Sequence, residues 1–218
     1  MADRVQALVC AGLVAALVAP ARAEFSHRVH LARKLDCVVC HAPAWSSTRS
    51  TENLLPSPAI CLGCHTGEAG KGPKLATPPS IKSPRGVPVA RFNHQLHAKM
   101  GNVAAVIARA MDAKTYLSDP GDARKFVNTK HVCVGCHRGL EVSEAVTAAA
   151  FPRMADCLVC HSQIDPPFSC TKCHAEEARL KPADHTSDWI DVHSAGKIKD
   201  KTGCAVCHGR RFTCLGCH

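Results

Sequence analysis

The chain has 218 residues and a formal net charge of +9, with only nine aromatic side chains against 14 Gly, 14 Pro and 15 Cys. So few aromatics supply a conventional hydrophobic core poorly, and cysteine at this density points to covalent staples, metal clusters or covalently held cofactors. The basic balance alone does not make a nucleic-acid binder, because no face interleaving aromatic and basic residues accompanies it.

At the N-terminus, Met1 to Arg4 form a short n-region with one basic residue, and Val5 to Val18 form an apolar h-region. Ala21-Arg22-Ala23 supplies an A-x-A cleavage signal. Residues 1–23 are therefore expected to be a Sec-type signal peptide, with the exported chain starting at Glu24. Cys10 lies inside the apolar run and is expected to leave with it. Removal of Asp3, Arg4 and Arg22 takes away a net +1 and leaves +8. No second apolar stretch reaches the ~20 residues of a membrane span, so the expected location is the periplasm or another compartment outside the cytoplasm.

Residues 24–68 carry Phe25-Ser26-His27-Arg28-Val29-His30, then Cys37-Val38-Val39-Cys40-His41 and Cys61-Leu62-Gly63-Cys64-His65. Residues 69–90, rich in Pro, Gly and Lys, read as a linker. Residues 91–178 open on Phe92-Asn93-His94-Gln95-Leu96-His97, which repeats the first element with Phe, His and His held and with Ser or Asn at a helix N-cap position. A helix over 103–117, starting at Asn102, is expected next, with Val106, Ile107 and Met111 as packing residues. His131 precedes Cys133-Val134-Gly135-Cys136-His137, and a second helix is expected over 141–150. Cys157-Leu158-Val159-Cys160-His161 and Cys170-Thr171-Lys172-Cys173-His174 close this segment. Residues 179–218 hold His185, a short helix expected near Ser187 that carries Trp189 and His193, and the motifs Cys204-Ala205-Val206-Cys207-His208 and Cys214-Leu215-Gly216-Cys217-His218.

These seven C-x-x-C-H motifs use every cysteine but Cys10. Two thiols three positions apart reach the two vinyl groups of one haem, and the next residue turns its imidazole onto the iron. Zinc also accepts C-x-x-C spacing, and an oxidising compartment allows disulfides, but neither requires a histidine at the same offset seven times. Seven haems c are therefore expected, with His41, His65, His137, His161, His174, His208 and His218 as proximal ligands. The other seven histidines, His27, His30, His94, His97, His131, His185 and His193, match that number and are the distal candidates. A bis-histidine set keeps the potential low, whereas a methionine ligand would raise it. Histidines at i and i+3 share one side of a helix, and one iron has a single distal position, so each of the pairs His27/His30 and His94/His97 is expected to serve two neighbouring haems.

The F-x-H-x-x-H element ahead of C-x-x-C-H motifs resembles the class III cytochromes, of the c3 and c7 type, with the best local match over residues 91 to 174. The resemblance implies c7-like haem-stapled units and an electron-transfer role. The expected fold is mostly irregular with short α-helices and almost no β-sheet, with haem faces serving as the core. The expected partners are redox proteins, with a membrane-bound respiratory complex as one candidate, and neither nucleic acid nor a small-molecule substrate is expected. Much of the Lys and Arg excess is assigned to propionate neutralisation and docking, with Arg210 and Arg211 as local candidates. The competing class is a multihaem reductase, which needs one haem with an open distal position; the equality of haems and spare histidines argues against it.

Overall fold

The computed structural model describes residues 25–79, 89, 91–161, 170–176, 178–180, 185–189 and 204–208. The expected signal peptide, His193, Arg210, Arg211 and the motif from Cys214 to His218 lie outside these residues. Among the described residues the chain is mostly irregular, with short helices and no strands.

Seven α-helices can be named among them: α1 (His27–Ala32), α2 (Cys37–His41), α3 (Pro58–Cys64), α4 (His94–Lys99), α5 (Ala104–Asp112), α6 (Met154–Leu158) and α7 (Ala205–His208). Their starts follow local chemistry. Ser26 accepts from the Val29 amide at 3.3 Å and Asn93 from that of Leu96 at 2.9 Å, so both histidine-pair helices are capped by the residues expected to do so. Asp36 caps α2 through the Val38 amide at 3.1 Å. Pro58 occupies the first turn of α3, where no amide partner is needed.

The helix expected over 103–117 runs only over Ala104–Asp112. Lys114 takes a positive φ of 55°, and the amides of Thr115 and Tyr116 both return to the Ala110 carbonyl, so the chain leaves the helix in a left-handed turn. Asn102 still contributes, its side-chain oxygen accepting from the Ala104 amide at 2.9 Å. The buried stripe is Ala104, Ile107, Ala108 and Met111, at i, i+3, i+4 and i+7; Val106 falls off this stripe and is exposed. The helix expected over 141–150 is instead two 3-10 turns, Leu140–Val142 and Ala148–Ala150. Ser143 and Thr147 are extended between them, and the Ser143 carbonyl accepts from the Arg28 amide at 3.2 Å rather than from a helical neighbour. At Ser187 the described residues show a turn that reaches helix only at Trp189.

Among the described residues one apolar cluster forms, from Ile107, Ala108, Met111, Tyr116, Ala123, Val127 and Ala155, flanked by Val103, Leu117, Val159 and Val206. Most of it comes from the stretch between α4 and the third motif. That stretch is an insertion: Cys37 follows His30 by seven positions, whereas Cys133 follows His97 by 36.

Apart from that insertion, the first two motif pairs repeat one another. Cys61 follows Cys37 by 24 positions, and Cys157 follows Cys133 by 24. The two copies pack reciprocally. Helix α1 of the first copy lies on the Leu140–Val142 turn of the second, and α4 of the second lies on the Ala42–Trp45 turn of the first. The Arg28 amide donates to the Ser143 carbonyl at 3.2 Å, and the Gln95 amide donates to the Ser47 carbonyl at 2.9 Å; Ser47 and Ser143 are equivalent in the two copies. This exchange gives the pair of units an approximate local two-fold relation.

Candidate cofactor and metal centres

Each described C-x-x-C-H motif makes a single tight turn, helical in some and a 3-10 or hydrogen-bonded turn in others. The histidine amide donates to the carbonyl of the first cysteine at 2.9 Å in the motifs ending at His65, His137, His161, His174 and His208, and α2 spans the motif ending at His41. Positions i, i+3 and i+4 of a helical turn share one side, so both sulfurs and the imidazole are presented together.

Five of the imidazoles are held in one tautomer. His41 Nδ1 meets the Leu54 carbonyl at 2.7 Å, His65 Nδ1 that of Pro73 at 2.9 Å and His137 Nδ1 that of Ala150 at 3.1 Å. On the paired helices, His30 Nδ1 meets the Ser26 carbonyl at 2.7 Å and His97 Nδ1 that of Asn93 at 2.8 Å. A carbonyl oxygen can only accept, so Nδ1 donates and the neutral ring keeps its lone pair on Nε2, which is the arrangement of a metal-ligating histidine.

Three motif histidines lie beside spare histidines. His27 and His41 have centroids 6.3 Å apart and planes 11° from parallel; His30 and His65 are 6.0 Å apart, and His97 and His161 are 6.2 Å apart. Two imidazoles ligating one ion from opposite sides are separated by two ~2 Å metal–nitrogen bonds and two ~1.1 Å nitrogen-to-centroid radii, or roughly 6 Å. A separation of this size leaves room for one metal ion between the two rings of a pair. Burial, with His41 adding to it, lowers the His27 pKa to about 4, so this ring stays neutral and able to donate its lone pair. Its Nδ1 is buried without a hydrogen-bond partner.

Phenylalanine sets these rings. Phe25 lies edge-on to His27 at 4.8 Å and stacks on His30 at 4.4 Å; Phe92 repeats this with His94 at 4.6 Å and His97 at 4.3 Å. Gly72 lies under the His65 ring, where an added Cβ would come within 2.5 Å of Nδ1. The sequence reading missed these supporting groups, although a signal was present. His41 and His137 each reach a carbonyl 13 positions on, at Leu54 and Ala150, and each of these is followed two positions later by a proline.

The structure puts His131 somewhere the count alone could not show. Its Nδ1 accepts from the Cys133 amide at 3.2 Å, and its Nε2 lies 3.7 Å from Cys37 Sγ and 3.7 Å from Asp36 Oδ2. Donor atoms of Cys37, His131 and Cys133 all lie within 4.8 Å of one another, so the first cysteines of the duplicated units meet near the local two-fold. There the Cys37 thiol donates to Cys133, which pushes the Cys37 pKa up and draws that of Cys133 down to about 7. An N/S cluster of this kind also suits zinc. Elsewhere, burial raises the Cys157 thiol to about 11 and raises Cys136 as well. His185 stacks on Trp189 at 4.5 Å.

No protein family, curated relative or solved structure matches the chain.

Proposed function

We propose that the chain is an exported electron-transfer protein with seven covalently bound, low-potential haems c, each attached through the two cysteines of one C-x-x-C-H turn. The observation that carries this reading is the set of histidine pairs 6.0 to 6.3 Å apart, each joining a motif histidine to one of the spare histidines. His27 is assigned to the haem of His41, His30 to that of His65 and His97 to that of His161. The internal duplication assigns His94 to His137 by equivalence. The bound group would supply reversible one-electron exchange between ferric and ferrous iron. The chain's own residues would hold each such group with two cysteines of one turn and two histidines, one from the motif and one from the spare set. Two histidines held for each group would leave it no position for a substrate, which favours a carrier over a reductase.

A second reading has one observation behind it: the Cys37, His131 and Cys133 cluster could hold zinc in a haem-free chain. One experiment separates the readings. The full-length protein is produced in a bacterium with its haem-attachment machinery, and the exported form is weighed intact. Seven haem additions on a chain starting at Glu24 are expected. Bound zinc or disulfides in place of haem would overturn the cytochrome reading, and a strong high-spin ferric EPR signal at full haem loading would favour the reductase.

A further inference from the structure

Between the third and fourth motifs lies a buried ion pair that ligand counting does not use. Arg138 directly follows His137, and Asp156 directly precedes Cys157. They are 5% and 6% exposed and meet through both guanidinium ends, Nη1 reaching Oδ1 at 2.9 Å and Nη2 reaching Oδ2. Asp156 is fully engaged: the Tyr116 hydroxyl, itself buried, donates to Oδ1 at 2.9 Å, and the Arg153 amide donates to Oδ2 at 2.7 Å. Tyr116 belongs to the inserted core, so the network joins that core to both motifs.

The duplication supplies an internal comparison. Positions 138 and 156 correspond to Ala42 and Ile60 in the first unit, where the same turns are built without charge. The pair is therefore not needed to form the C-x-x-C-H turns. A buried pair stabilises little over apolar residues of similar volume, while either charge left alone is costly and is felt strongly in low dielectric.

We propose that Arg138 and Asp156 are positioning residues that lock the third motif to the fourth, and that their balanced charges set the reduction potentials of the two groups those motifs carry. This rests on the haem reading above. An uncompensated positive charge stabilises the reduced form and raises a potential, and a negative one lowers it. Both signs should appear when the partners are removed singly.

The test uses the full-length, haem-loaded protein, with haem content measured as the pyridine haemochrome and potentials by spectroscopic redox titration. Asp156→Asn leaves Arg138 alone and should raise the potentials of two of the seven haems. Arg138→Gln should lower the same two. Arg138→Ala with Asp156→Ile copies the first unit, should load seven haems even where a single variant does not fold, and should return the two potentials toward wild type. Single variants that shift in the same direction, or a double variant displaced as far as either single one, would overturn charge compensation. A wild-type protein without haem would overturn the haem reading as well, whereas seven haems with unmoved potentials would overturn this inference alone.

Discussion

The imidazole rings of His27 and His41 stand 6.3 Å apart with their planes 11° from parallel, one on a capped helix and the other at the end of a C-x-x-C-H turn. Three positions along α1, His30 stands 6.0 Å from His65 instead. One short helix thus serves two motifs, because its i and i+3 positions share a side but are offset along the axis.

His27→Ala and His30→Ala should each open one haem, and not the same one. In the oxidised protein each variant should convert about one seventh of the low-spin signal to high spin, and the two EPR difference spectra should be distinct. Identical spectra would show that both histidines act on one centre.

Gly72→Ala should displace the His65 ring. The added methyl would lie 2.5 Å from Nδ1, and the ring cannot swing aside without losing its hydrogen bond to the Pro73 carbonyl. Overpacking of this kind costs about 1–3 kcal/mol, to be read as a lowered melting temperature together with a change at the second haem.

Lys34→Gly should stabilise the protein. Lys34 holds a φ of 60° just past α1, a region that is strained for a residue with a Cβ. Relief of that strain, less the extra entropy glycine gives the unfolded chain, should amount to about 0.5–1 kcal/mol in denaturant unfolding. A destabilised variant would mean that the lysine side chain makes a contribution larger than the strain.

Ile107→Ala should cost about 2–4 kcal/mol, because the side chain is 2% exposed at the centre of the apolar cluster. Val106→Ala, one position along and facing out, should cost less than about 0.5 kcal/mol. Equal losses in thermal melts would show that the cluster does not carry the inserted segment.

The sequence by itself determined whatever is set within a few residues. The C-x-x-C-H spacing places two sulfurs and an imidazole within one short segment, and Ser26 and Asn93 mark where the histidine-pair helices begin. It also held the duplication, in the shared F-x-H-x-x-H elements and the equal spacing of 24 between motifs, together with the mostly irregular, short-helix character of the fold. The tertiary structure alone decided which rings pair, because His30 and His65 lie 35 positions apart, across α2 and α3, and no local preference fixes how that stretch folds back. It also decided that α1 and α4 exchange places on each other's units, which drew Ser143 out of an expected helix to accept from Arg28. The early end of α5 has a similar origin: the turn at Lys114 brings Tyr116 back into the core, where its hydroxyl meets Asp156. That pair of charges reads in sequence as two ordinary polar residues beside two motifs. Only the folded chain takes them out of water, where each must find the other.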